Sequence, residues 1–150
     1  MSTPHAETRP VVPRAFGAAV TGAVLAYGAV LFFTWVEHHD ARACEATEGL
    51  CWTWWDWAAV PVTLTAALTV LMIVYGRLGI GPRLAVVLPT VVLGVFPLAA
   101  AETTAGWWAA ALAGGAWSCA LALAAWDRYR IPGLSAAAAL LLASLVVLYR

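Results

Sequence analysis

The 150-residue chain contains no lysine, no asparagine and no glutamine. Every fixed positive charge is therefore an arginine, and with the excess of alanine this reads as a codon-bias signature rather than a functional one. Charge of either sign is scarce. Only 11% of residues are charged, too few to cover the surface of a water-soluble domain. The formal net charge is zero, which argues against a nucleic-acid partner, because such partners are held by excess basic charge. There is no P-loop, no glycine-rich nucleotide loop, no H-E-x-x-H and no serine elbow. No haem ligand pair stands inside the apolar segments, and no ionisable residue falls in the middle of one, where ion-coupled pumps usually place it. An energised transporter and a membrane hydrolase of a familiar kind are both disfavoured. No motif ties the chain to a family.

What the chain does contain is apolar length. Hydrophobic residues make up 63% and the mean hydropathy is +0.84. Five apolar segments run approximately from Ala15 to Val36, Trp57 to Gly76, Leu84 to Ala101, Gly106 to Trp126 and Ile131 to Tyr149. Each is close to the ~20 residues that a helix needs to cross a hydrocarbon core of about 30 Å. The runs are continuous rather than alternating, which excludes barrel strands. The expected fold class is all-α: a polytopic membrane helical bundle of five transmembrane helices. Residues 1–13 read as a short disordered cytoplasmic lead, and residues 14–150 as a single transmembrane helical domain with an outer loop at 37–56. The first segment is too long for a signal-peptide core, so no cleaved leader is expected. Pro61 and Pro132 are expected in first turns. Pro89 and Pro97 lie inside the third segment and are expected to kink or loosen it.

The arginines orient the bundle. With five helices, Arg9, Arg14, Arg77, Arg83, Arg128 and Arg130 collect on one side, and Arg42 and Arg150 on the other. The arginine-rich side is expected to be cytoplasmic, which gives a multi-pass cell-membrane protein with its N-terminus inside and its C-terminus outside. The acids Glu37, Asp40, Glu45, Glu48, Asp56 and Glu102 fall on the outer side. So do Trp35, Trp52, Trp54, Trp55, Trp57, Trp107 and Trp108, as an aromatic belt. Arg150 on the outer side runs against the charge rule, so four spans with an interfacial fifth segment is the alternative topology.

Small residues recur at helical spacing, as they do where membrane helices approach closely. Ala18, Gly22 and Ala26 share a face, as do Gly17 with Thr21, Ala110 with Gly114, Ala111 with Gly115, and Ser135 with Ala139 and Ala143. Packing within one bundle is the first expectation for these faces. Thr63, Thr65, Thr69, Thr90 and Ser118 are expected to bond back to carbonyls of their own helices.

Unusual letters concentrate between Trp35 and Trp57. Cys44 and Cys51 flank six residues containing Gly49, and on an oxidising outer side they are expected to form a disulfide. The closed loop is short, so chain entropy gives roughly 2.5 kcal/mol at most. A redox pair is the lesser reading, since neither C-x-x-C nor a second pair is present. Cys119 lies inside the fourth segment as a buried, inert thiol. Glu37, His38, His39 and Asp40 are good ligand types for zinc or copper and make a candidate metal or pH site. Their spacing is poor, because adjacent histidines on a helix point about 100° apart. The bland reading is a solvated helix end. Asp127-Arg128-Tyr129-Arg130 reads as a topological anchor at the membrane boundary.

These features lead to a small integral membrane protein without a catalytic constellation, acting as an accessory, scaffold or interaction subunit and not as an enzyme. Its partners would be the lipid bilayer and either a membrane protein or further copies of itself. No cofactor is required by the sequence. One alternative is a binding or transport module for a small hydrophobic or lipidic ligand, with Pro89 and Pro97 opening a cleft lined by Trp107, Trp108 and Trp117. A second is a metal- or pH-responsive outer site at His38 and His39.

Overall fold

Five long helices account for most of the chain. The computed structural model describes residues 11–45, 53–79 and 83–150. The helices are α1 (Val11–Cys44), α2 (Trp54–Leu78), α3 (Arg83–Ala105), α4 (Trp107–Ala124) and α5 (Arg130–Leu148), with one 3₁₀ turn at Asp127–Tyr129. No strand occurs among the described residues, so the fold is an all-α bundle. All five helices are long and apolar enough to cross a membrane, the fifth with a mean hydropathy of 2.3 in its best window. Regular helix is what these sequences must adopt in lipid, since only intra-segment hydrogen bonds satisfy the backbone there. Thr63, Thr65, Thr69 and Thr90 all donate to carbonyls four residues back, as expected, at 2.6–2.7 Å. The Ser118 carbonyl accepts a bond from Tyr75 Oη at 3.4 Å.

The helix ends depart from the expected boundaries. α1 does not stop at Val36 but continues through Glu37–Cys44, so much of the expected 37–56 loop is helical. Its start at Val11 also takes in the last residues expected in the lead; the first ten residues of that lead lie outside the described residues. α2 begins at Trp54, which puts Pro61 two turns inside it rather than in a first turn. α3 runs through both Pro89 and Pro97 and reaches Ala105. Gly106 alone then separates it from α4. It has φ +80°, accepts bonds from Ala109 and Ala110, and donates to Glu102 O at 3.2 Å. A left-handed residue flanked by two helices calls for glycine.

α4 is the centre of the bundle. It packs on α1, α3 and α5, while α2 bridges α1 and α3. Sequence neighbours do touch, yet the most extensive contact joins α1 to α4, which are far apart in the chain. That seam is made of small residues. Ala18, Gly22 and Ala26 are buried on α1, and Ala110, Gly114 and Gly115 on α4. A Cβ added at Gly22 would lie 2.5 Å from the Gly114 carbonyl oxygen, and one at Gly114 would lie 2.5 Å from Ala26 Cβ. Backbones in such proximity leave no room for side chains, and dispersion between them takes the place of hydrophobic burial. Gly17 instead faces Leu78 of α2.

On α5 the small-residue face is not the expected one. Gly133, Ala137 and Ser144 are buried, whereas Ser135, Ala139 and Ala143 are exposed. A Cβ at Gly133 would meet the Ala120 carbonyl oxygen at 2.7 Å, which fixes that face against α4. A helix with small residues all around offers several equivalent faces, and contact with α4 selects one.

Candidate functional site

The most distinctive region is the hairpin formed by the far end of α1 and the start of α2. Tyr27 packs against Trp107, the first residue of α4, with ring centroids 5.4 Å apart and planes tilted by 57°. α1 then continues from Gly28 to Cys44. At 1.5 Å per residue that is about 25 Å of helix rising past the start of α4. The extension is tied to α2 by rings and one strong hydrogen bond. Trp55 packs edge-on against Trp35 at 5.4 Å and Phe32 at 5.9 Å, and Phe32 is 6.2 Å from Trp35. Thr53 Oγ1 donates to Asp40 Oδ1 at 2.6 Å.

This arrangement absorbs part of the candidate metal or pH site. His39 lies flat on Trp35, one turn back, with ring centroids 5.2 Å apart and planes 15° apart. Asp40 is held by Thr53. Glu37 and His38 are exposed. Among the described residues, no three His, Cys, Asp or Glu side chains come together in a way that would hold a metal ion. Helical geometry explains it: four consecutive residues on one helix fan out around the axis instead of converging. Cys44 is half-buried at the last turn of α1. The expected bridge to Cys51 cannot be followed further, because Cys51 lies outside the described residues, as does Glu48. Cys119 is a free cysteine on α4, half-buried rather than fully buried.

The three tryptophans expected to line a ligand cleft are not gathered. Trp107 and Trp108 are 58% and 52% exposed at the start of α4, whereas Trp117 is 2% exposed. Trp117 stands nine positions beyond Trp108 on the helix, about 13 Å along the axis. Trp117 belongs to a buried polar knot that residue types alone do not reveal. Its Nε1–H donates to the Thr90 carbonyl at 2.9 Å, and the Thr90 hydroxyl bonds Val86 O at 2.6 Å. Tyr75 is fully buried beside them with its hydroxyl on Ser118 O. Gly94 leaves the space for the indole, since a Cβ there would lie 3.3 Å from Trp117 Nε1. No buried side-chain nitrogen or oxygen among the described residues lacks a partner, so the knot joins α2, α3 and α4 as structure. The one signal for it in the sequence is a tryptophan in mid-segment, away from the interfacial positions that indoles prefer.

The hairpin also exposes aromatic surface. Trp54 is 78% exposed, Trp57 63% and Trp35 49%. The elements therefore define a class: an all-α bundle of five helices able to cross a membrane, with an aromatic hairpin that rises past the start of α4. Compared with protein-family models, curated proteins and solved structures, the chain matches none.

Proposed function

We propose that this chain is a non-catalytic, multi-pass cell-membrane protein that serves as an accessory or scaffold subunit, with the α1–α2 hairpin as its docking element. The N-terminus is cytoplasmic and the C-terminus outside, as the arginine distribution favours. One observation carries the reading. The hairpin extends past the start of α4 and exposes Trp35, Trp54 and Trp57, while Asp40 and His39 are engaged in local contacts. Rigid aromatic side chains at a wet boundary are the residues that most often anchor protein interfaces. A Cys44–Cys51 disulfide would close the tip and keep the hairpin rigid.

Mass measurement on the protein extracted in several gentle detergents tests the proposal. The expected particle is larger than one chain, through a second subunit or further copies, and substitution of Trp54 and Trp57 with alanine reduces it to the monomer. A wild-type particle that is monomeric in every detergent contradicts it. The reading as a hydrophobic-ligand module has less support, because its three tryptophans are divided between the surface and a satisfied core position.

A further inference from the structure

A chain with no net charge is here strongly divided between its two ends. Arg14 on α1, Arg77 in the last turn of α2, and Arg128 and Arg130 around the α4–α5 turn stand at one end. Packing brings them to a common level. The Arg14 guanidinium lies 3.8 Å from where a Cβ on Gly79 would be, directly after α2, and Gly133 at the start of α5 abuts Ala124 at the end of α4. Asp127 is the one acid at this end among the described residues. None of the four arginines forms an ion pair with another described residue, and Arg77, Arg128 and Arg130 are exposed. Arg128 lies 5.9 Å over the Tyr129 ring. The opposite end carries Glu37, Asp40, Glu45 and Glu102 against Arg42 and Arg150.

We propose that the arginine end binds the headgroups of anionic phospholipids. Guanidinium groups present paired N–H donors that match phosphate oxygens, and Asp127 is the one described carboxylate at this end, not ion-paired with any of the four arginines. The apolar flanks commit the site to lipid rather than to a free anion. Val12 is 78% exposed, Phe16 68% and Ile131 82%, all within a turn or so of an arginine. A phosphodiester with acyl chains satisfies both the guanidinium groups and the apolar side chains beside them; inorganic phosphate satisfies only the first. The surface lies where apolar helix gives way to charge, the depth of a headgroup layer. The proposal rests on the helices crossing a bilayer and not on the docking role of the hairpin at the other end.

The test is native mass spectrometry of the full chain in detergent, titrated in parallel with phosphatidylglycerol and phosphatidylcholine of the same acyl chains. The expected result is at least a fivefold preference for phosphatidylglycerol that falls as salt rises and survives an equal concentration of inorganic phosphate. The variant with Arg77→Gln, Arg128→Gln and Arg130→Gln should lose the preference, and Arg42→Gln at the opposite end should keep it. Equal binding of the two lipids by the wild type, or displacement of phosphatidylglycerol by inorganic phosphate, overturns the proposal. A preference retained by a helical triple variant does so too. Should that variant fail to fold, the lipid ratio and salt dependence of the wild type still decide. A monomeric particle would defeat the docking role and leave this result standing.

Discussion

α1 meets its two neighbours in opposite ways. Toward α4 it presents Ala18, Gly22 and Ala26, and the facing residues are Ala110, Gly114 and Ser118, so the backbones nearly touch. Toward α2, nearer its far end, it presents Phe32, Trp35 and Asp40, and the facing residues are Trp55 and Thr53. The first contact is made by the absence of side chains and the second by their size and polarity. Within hydrocarbon, apolar bulk gives helices no reason to prefer each other to lipid, so close approach is the available attraction. At the boundary, water returns and aromatic rings with polar edges become effective. One helix therefore passes from a seam made by close backbones to a contact made by aromatic rings.

The largest expected effect breaks the seam. Gly22→Leu would drive a side chain into the Gly114 carbonyl and the Ser118 side chain, and should cost about 3 kcal/mol or more. Reversible unfolding in mixed micelles, followed by tryptophan fluorescence, measures it. Gly28→Leu, on the same helix where an added Cβ meets nothing within 4 Å, should be nearly neutral. If both cost the same, the contrast drawn here fails. Next comes the hairpin. Trp55→Ala removes two edge-on ring pairs and should cost about 1–2 kcal/mol, while a cross-link across the α1–α4 seam forms as before.

Smaller effects sharpen the comparison. Trp117→Phe keeps an aromatic ring but loses the bond to Thr90 O, and should cost about 0.6 kcal/mol, the typical worth of a polar contact between membrane helices. Thr53→Ala should cost about 0.5 kcal/mol. Its clearer sign would be faster amide exchange around Asp40, whose carboxylate loses its 2.6 Å partner. Exchange unchanged in that region would mean that the Thr53–Asp40 bond does not hold the hairpin.

Much of this architecture was legible in the residues. Continuous apolar runs gave five helices, and the four-residue recurrence of Ala18, Gly22 and Ala26 marked a packing face. What spacing could not show was the partner of that face, because a small-residue stripe is compatible with any other. Hence α4, and not the sequence neighbour α2, emerged only from the structure. The same ambiguity hid the buried face of α5, where Gly133 and Ala137 compete with Ser135 and Ala139. The polar stretch after Val36 reads as loop by its charge, yet stays helical where Trp55 and Thr53 brace it. Trp117 is expected beside Trp107 and Trp108 in a cleft, because residue type does not distinguish an indole facing a ligand from one whose N–H has found a buried carbonyl.

The seam can be tested by one cross-linking measurement. A Cβ at Gly115 would lie 3.3 Å from Ala23 Cβ, close to the separation of about 3.5–4.5 Å that a disulfide spans. With Cys44, Cys51 and Cys119 replaced by serine, Ala23→Cys combined with Gly115→Cys should oxidise in vesicles to a single product that migrates as a monomer. That result places the α1–α4 seam inside one chain. A dimeric product, or no cross-link under conditions that oxidise neighbouring cysteines elsewhere, would contradict the account.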